Sequence, residues 1–232
     1  KKNLGIFVIF FIPTYLPAHD QDWKKLESIK SELFQEALIH KNIGRTYSVF
    51  SPPSTSRKSR PLLIGLHGYY GNGKDFAEKT ANIIEDLAER GYVGIFPNGT
   101  SMSLLKPHIT SFNDIDSQNS AGKDGPTCIE SSYDYGVYNN CPKSQNEDQC
   151  NWGSSCTDDE GFFRKLIEIA IEEWRVDPER VYLTGFSQGA QTVQSLAWRM
   201  SDVIAAIAPQ CGFAANGFSK APLSKMSFVQ VW

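Results

Sequence analysis

Short unbroken apolar runs alternate along this chain with longer stretches in which apolar residues recur every three or four positions. Leu62-Leu63-Ile64-Gly65-Leu66, Tyr92-Val93-Gly94-Ile95-Phe96 and Val181-Tyr182-Leu183-Thr184 read as buried strands. Ile204 to Ala208 and Phe228 to Trp232 read as two more, and Arg45 to Phe50 as a strand stopped by Ser51-Pro52-Pro53. Between them, Asp75 to Arg90, Asp158 to Trp174 and Ala190 to Met200 read as amphipathic helices. In the second of these, Phe163, Ile167, Ala170, Ile171 and Trp174 keep helical spacing, and Asp158 and Asp159 suit its positive end. Trp23 to Leu38, with Leu26, Ile29, Leu33, Ala37 and Leu38 on one face, also predicts a helix. Asp177-Pro178 predicts a turn.

Apolar strands alternating with helices imply an α/β protein: a mostly parallel sheet covered on both faces. Ligands of such sheets bind outside the carboxyl ends of the strands. The alternation breaks once, over residues 97–157. That stretch is polar and rich in Gly and Asn, and a connection of its length is usually functional or disordered. Trp152, Tyr133, Tyr135 and Tyr138 are its candidates for an apolar pocket wall.

The chemistry sits where strand meets helix. Gly185-Phe186-Ser187-Gln188-Gly189 follows the strand at Val181 and opens the helix at Ala190. A serine on such a turn adopts a strained backbone. The glycines two residues to either side, Gly185 and Gly189, remove side chains that would collide as strand and helix converge. The hydroxyl of Ser187 is lifted above the sheet, and the amide of Gln188 is left to donate. His67-Gly68-Tyr69-Tyr70-Gly71 follows the strand at Leu62, so the amide of Tyr69 is expected opposite that of Gln188. Two such amides form an oxyanion hole. His67 and Gly68 shape that loop. As general base His67 is a weaker candidate, because it precedes the serine, whereas hydrolases with this turn run Ser, then Asp or Glu, then His. After Ser187 the only acid is Asp202, expected at the far end of the sheet, and no histidine follows. The acid and base are therefore expected beyond Trp232.

Compartment is read from the N-terminus and the cysteines. Lys1-Lys2, then the nine apolar residues from Leu4 to Ile12, Pro13, Pro17 and the small Ala18 follow the order of a secretory signal over residues 1–18. Cys128, Cys141, Cys150 and Cys156 crowd into the polar loop, where two disulfides in one of three pairings suit an oxidising compartment. Cys211 is either a buried free thiol or a partner for one of them. No metal site is expected, because no histidine lies within twenty residues of Cys128 to Cys156 except His108 at the edge. Asn98-Gly99-Thr100 is a glycosylation sequon. A net charge of −3 gives no electrostatic case for nucleic acid or for an anionic membrane once the signal is cleaved.

From Arg45 to Trp232 the chain resembles the secreted α/β-hydrolase esterases that include feruloyl and acetylxylan esterases and polyhydroxybutyrate depolymerases. The resemblance is carried by Arg45-Thr46-Tyr47, Pro61 to Gly68, Pro97-Asn98-Gly99, Trp152, Asp158 to Phe163, Val176 to Tyr182, the Ser187 turn and Pro209 to Gly212. It implies an α/β-hydrolase fold over residues 45–232, incomplete at its C-terminus; the helical spacing ahead of it predicts a helical segment over 19–44. The resemblance also implies Ser187 as nucleophile, Tyr69 and Gln188 as oxyanion donors, and an Asp just beyond Trp232 with a His some tens of residues later; Tyr70 and Trp152 are candidate pocket residues, and no cofactor is expected. The implied substrate is a feruloyl or acetyl ester of cell-wall polysaccharide. A polyhydroxyalkanoate, a peptide, or an inactive hydrolase-like protein that binds a glycan or a partner are the alternatives.

Overall fold

A computed structural model describes residues 33–52, 58–80, 82–101, 110–113, 157–212 and 227–228. Two strands open the described chain: β1 (Leu33–His40) and β2 (Ile43–Phe50). They form an antiparallel hairpin in register from Leu33↔Phe50 to His40↔Ile43. Its two-residue turn, Lys41-Asn42, has φ of 45° and 63°, the positive pair that matches the twist of a tight hairpin. The helix expected over Trp23 to Leu38 is therefore wrong from Leu33 onward. The sheet thus begins by Leu33, ahead of the boundary expected at Arg45. Its helical spacing misleads because β1 is an edge strand, largely exposed, on which no strict in–out alternation is imposed.

After β3 (Arg60–Leu66) the chain forms two helices, α1 (Gly73–Lys79) and α2 (Ile83–Arg90), where one was expected. Asn72 caps α1 by accepting from the Asp75 amide at 2.8 Å. Thr80 ends it in extended backbone, and Asn82 takes a left-handed conformation, so the helical path cannot continue. Next come β4 (Val93–Pro97), two short strands β5 (Thr100–Ser101) and β6 (Thr110–Ser111), and α3 (Asp159–Trp174). Last are β7 (Val176–Phe186), α4 (Gln188–Arg199), β8 (Ala206–Gln210) and β9 (Ser227–Phe228). The turn expected at Asp177-Pro178 is instead an irregularity inside β7. There the register with β3 shifts between Arg60 and Leu62, and Asp177 accepts from the Glu179 amide.

The main sheet has the order β1-β2-β4-β3-β7-β8-β9. Strands β4, β3, β7, β8 and β9 are parallel, and β1 and β2 join as an antiparallel flank. Each face of the sheet is covered. Leu62, Ile64, Val93, Ile95, Val181 and Leu183 pack against α3 and α4 through Phe162, Phe163, Leu166, Val193 and Leu196. Phe50 and Phe96 pack against α1 and α2 through Ala77, Ile84 and Leu87. Each fully buried Leu or Phe contributes about 1.5–3 kcal/mol, so the sheet gives a firm base to the loops at its carboxyl edge.

Candidate active site

Ser187 stands at that edge, between the last residue of β7 and the first of α4. Its φ of 53° and ψ of −118° lie outside the regions ordinary side chains favour. The turn is held from both sides. The Ser187 amide donates to the carbonyl of Gln210 at the end of β8 (3.0 Å), and the Ser187 carbonyl accepts from Ala190 (3.0 Å) and Gln191 (3.2 Å). The two glycines are required by close approach. A Cβ on Gly185 would lie 2.5 Å from the Gly189 carbonyl oxygen, and one on Gly189 would lie 2.5 Å from those of Leu66 and His67.

An open cleft of about 510 Å³ lies over the serine, walled by Gly68, Tyr69, Phe76, Phe186, Ser187 and Gln210. The β3 turn and the serine turn therefore meet: a Cβ added to Gly68 would stand 3.3 Å from that of Ser187. Gln188 begins α4, so its amide has no carbonyl one turn earlier to bond. Its side chain is buried and faces the other way. Nε2 donates to the Phe112 carbonyl (2.9 Å) and to Thr192 Oγ1 (3.0 Å), and Oε1 accepts from the Phe112 amide (3.4 Å).

Residues 110–113 strap the two turns together. Besides Gln188, they engage the β3 turn: the Tyr70 amide donates to the Thr110 carbonyl (3.2 Å), and Thr110 Oγ1 donates to the Gly71 carbonyl (2.5 Å). The Phe112 ring lies 4.7 Å from that of His67. The Asn113 amide donates to Asp159 (2.5 Å), a buried carboxylate paired with the equally buried Arg45 at 2.6 Å.

His67 is 2 % exposed, with Nδ1 2.7 Å from the Gly68 carbonyl and Nε2 accepting from the Gly99 amide at 2.9 Å. Burial lowers its pKa to about 4, against a smaller opposing effect of the Gly68 hydrogen bond. With both nitrogens bonded to backbone, the ring has no lone pair for a serine proton, which removes His67 as base. His40 is bonded to Asp158 at 2.9 Å. Asp202 makes a bidentate pair with Arg164 (3.0 and 3.1 Å), and that hydrogen bonding holds its carboxyl below the usual range. It precedes β8, at the end of the sheet away from Ser187. Among the described residues, none is bonded to the Ser187 hydroxyl.

Tyr70, expected in the pocket, lies beside the cleft rather than in its wall. It is 55 % exposed, with a φ of 66° and its ring edge-on to Tyr69 at 4.4 Å. Cys211 is exposed at the end of β8, so it is not a buried thiol, and it forms no disulfide with a described residue. Trp152, Tyr133, Tyr135, Tyr138, Cys128, Cys141, Cys150, Cys156 and residues 1–18 lie outside the described residues. Among the described residues no helix is long and apolar enough to cross a membrane.

The sequence reading missed Gln210, Phe186 and the 110–113 strap. Gln210 and Phe186 were reachable, since both end strands at the carboxyl edge. Thr110-Ser111-Phe112-Asn113 carries no such signal. Asn98, read as a glycan acceptor, is engaged at both ends of its amide: Oδ1 accepts from Gly73 (2.7 Å) and Nδ2 donates to Thr46 Oγ1 (2.7 Å).

A mostly parallel sheet, helices on both faces and a strained serine between strand and helix define an α/β-hydrolase fold. The family model described as Serine hydrolase (FSH1) matches residues 56–224, and the chain belongs to that family. A bifunctional acetylxylan esterase/xylanase, XynS20E of Neocallimastix patriciarum, is 25 % identical over 180 residues. The match takes in 77 % of this chain and 19 % of that protein. An acetyl xylan esterase from Aspergillus awamori superposes with a TM-score of 0.51 at 12 % identity, over 78 % of this chain and 53 % of the other. A ferulic acid esterase gives 0.51 at 18 %, over 78 % and 59 %. The chain thus spans about a fifth of the curated relative and little more than half of these solved chains.

Proposed function

We propose that the protein is a serine carboxylic ester hydrolase that works through an acyl-enzyme on Ser187. The observation that carries this reading is the strained Ser187 in the wall of an open cleft, next to the Gly68–Tyr69 turn and at the start of α4. In the proposed reaction the Ser187 Oγ attacks the ester carbonyl carbon while its proton passes to a base. The carbonyl oxygen becomes an oxyanion between the amides of Tyr69 and Gln188. Collapse expels the alcohol, which takes up the proton, and water releases the acid from the acyl-enzyme.

The substrate we favour is an acetyl or feruloyl ester on cell-wall polysaccharide. It is supported by the acetylxylan named for the curated relative, and by a cleft large enough for more than a two-carbon acyl group. The signal-like N-terminus and the four crowded cysteines support secretion and two disulfides. The alternative is a hydrolase-like protein that binds a glycan without cleaving it. The test is hydrolysis of p-nitrophenyl acetate, methyl ferulate and acetylated xylan by the full-length protein. Turnover that Ser187→Ala abolishes supports the esterase. No turnover, with retained binding to xylan, supports the second reading.

A further inference from the structure

The His67 ring has its proton placed for it. The Gly99 amide can only donate, so Nε2, 2.9 Å away, must present its lone pair. In the neutral ring the proton then sits on Nδ1, which donates to the Gly68 carbonyl at 2.7 Å. That same carbonyl accepts a second bond from the Gly71 amide at 3.0 Å. The fit around the ring is close: a Cβ on Gly71 would lie 2.9 Å from His67 Cβ and 3.0 Å from Nδ1.

The Gly68 carbonyl and the Tyr69 amide are the two ends of one peptide group. A peptide is planar, and the described residues contain no cis bond. Fixing the oxygen therefore fixes the direction in which the Tyr69 N–H points, which is away from the His67 ring. Tyr69 and Ser187 share the cleft wall. We propose that His67 is a positioning residue: as its Nδ1–H tautomer it locks the Gly68–Tyr69 peptide so that the Tyr69 amide faces the carbonyl oxygen of the substrate, and it ties that peptide to the Asn98-Gly99 turn. This rests on the esterase reading of Ser187. A buried neutral ring suits the task, because one unchanging tautomer gives one peptide orientation. Burial keeps the ring neutral well below its ordinary titration range.

The two bonds can be separated by substitution in the full-length protein. In His67→Asn the side-chain amide nitrogen can stand where Nδ1 stood and still donate to Gly68. In His67→Gln the side-chain oxygen can stand where Nε2 stood and still accept from Gly99, but the bond to Gly68 is gone. The readout is the second-order rate of phosphonylation by a fluorophosphonate, whose P–O oxygen occupies the oxyanion position. His67→Asn is expected to stay near the wild-type rate, and His67→Gln to fall by about 10²–10³-fold, the loss typical of one oxyanion donor. Equal loss in both variants, or none in either, overturns the proposal. A second measurement needs no variant. Imidazole ¹⁵N spectra of the wild type should show a single Nδ1–H form from about pH 5 to 8, where an ordinary histidine titrates. An Nε2–H form, or titration in that range, overturns it too. A wild type that is not phosphonylated sinks the esterase reading instead, and the ¹⁵N spectra then decide whether the ring holds Gly68.

Discussion

Ser187 donates its backbone N–H to the carbonyl oxygen of Gln210, 3.0 Å away on the neighbouring strand. The bond pins the serine turn to the end of β8 while Ser187 holds a φ of 53° and a ψ of −118°. A non-glycine residue there is strained by about 1–3 kcal/mol. Strain at the residue that bears the hydroxyl is tolerated because the sheet beneath it is firmly packed.

Removing the side chain should therefore stabilise the fold as it destroys the site. Ser187→Gly is expected to be more stable than Ser187→Ala by about 1 kcal/mol in chemical denaturation, because glycine adopts positive φ without a Cβ clash. Both variants should lack ester hydrolysis. A Gly variant less stable than the Ala variant would show that the turn is not strained.

Gly189 tests the packing under the turn. Its missing Cβ would lie 2.5 Å from two backbone oxygens, those of Leu66 and His67, neither of which can rotate away. Gly189→Ala should cost about 1–3 kcal/mol and displace Ser187 from the cleft. Unchanged stability with full activity would contradict the close approach of α4 to β3.

Much of this was legible from residue order, for reasons that can be named. The strands β3, β4 and β7 are buried on both faces, so they read as continuous apolar runs, and the glycines around Ser187 mark a turn that little else explains. What failed was exposed or long-range. Leu33 to Leu38 keeps helical spacing, yet its partner is the strand across the Lys41-Asn42 turn. Asn82 breaks a helix whose apolar period runs on through it. Phe112 reaches the site through backbone bonds to Gln188, which lies 76 positions away. No local pattern encodes such a contact.

Arg45 and Asp159 bind the hairpin to the start of α3. Their charges meet at 2.6 Å with 2 % and 0 % exposure, and the Arg45 guanidinium lies 3.9 Å over the Phe162 ring. Removing one partner strands the other's charge in the interior. Arg45→Met is expected to cost about 3–5 kcal/mol by urea denaturation. Arg45→Met with Asp159→Leu should recover only part of that, since the Asn113 amide also depends on Asp159. A single-variant loss below about 1 kcal/mol would mean the pair is solvated in solution.

Acid should weaken the fold through His67. The unfolded ring takes a proton near its ordinary pKa of 6.5, and the folded ring only near 4. Between these values the unfolded state holds more protons, so stability rises with pH. The full contribution is present above about pH 6.5 and is lost progressively as pH falls towards 4, amounting to about 3 kcal/mol. Denaturation of the wild type and His67→Asn across this window should show the slope in the first and much less in the second. Equal slopes would assign the acid sensitivity to other groups.

Ester hydrolysis through an acyl-enzyme requires Ser187 to be an activated nucleophile. The most direct measurement is to treat the full-length protein with a fluorophosphonate, digest it, and locate the adduct by mass spectrometry. The predicted result is one phosphonate, on the peptide carrying Gly185 to Gly189, at Ser187, and absent from Ser187→Ala. No adduct, or an adduct on another serine with Ser187 unmodified, would contradict it.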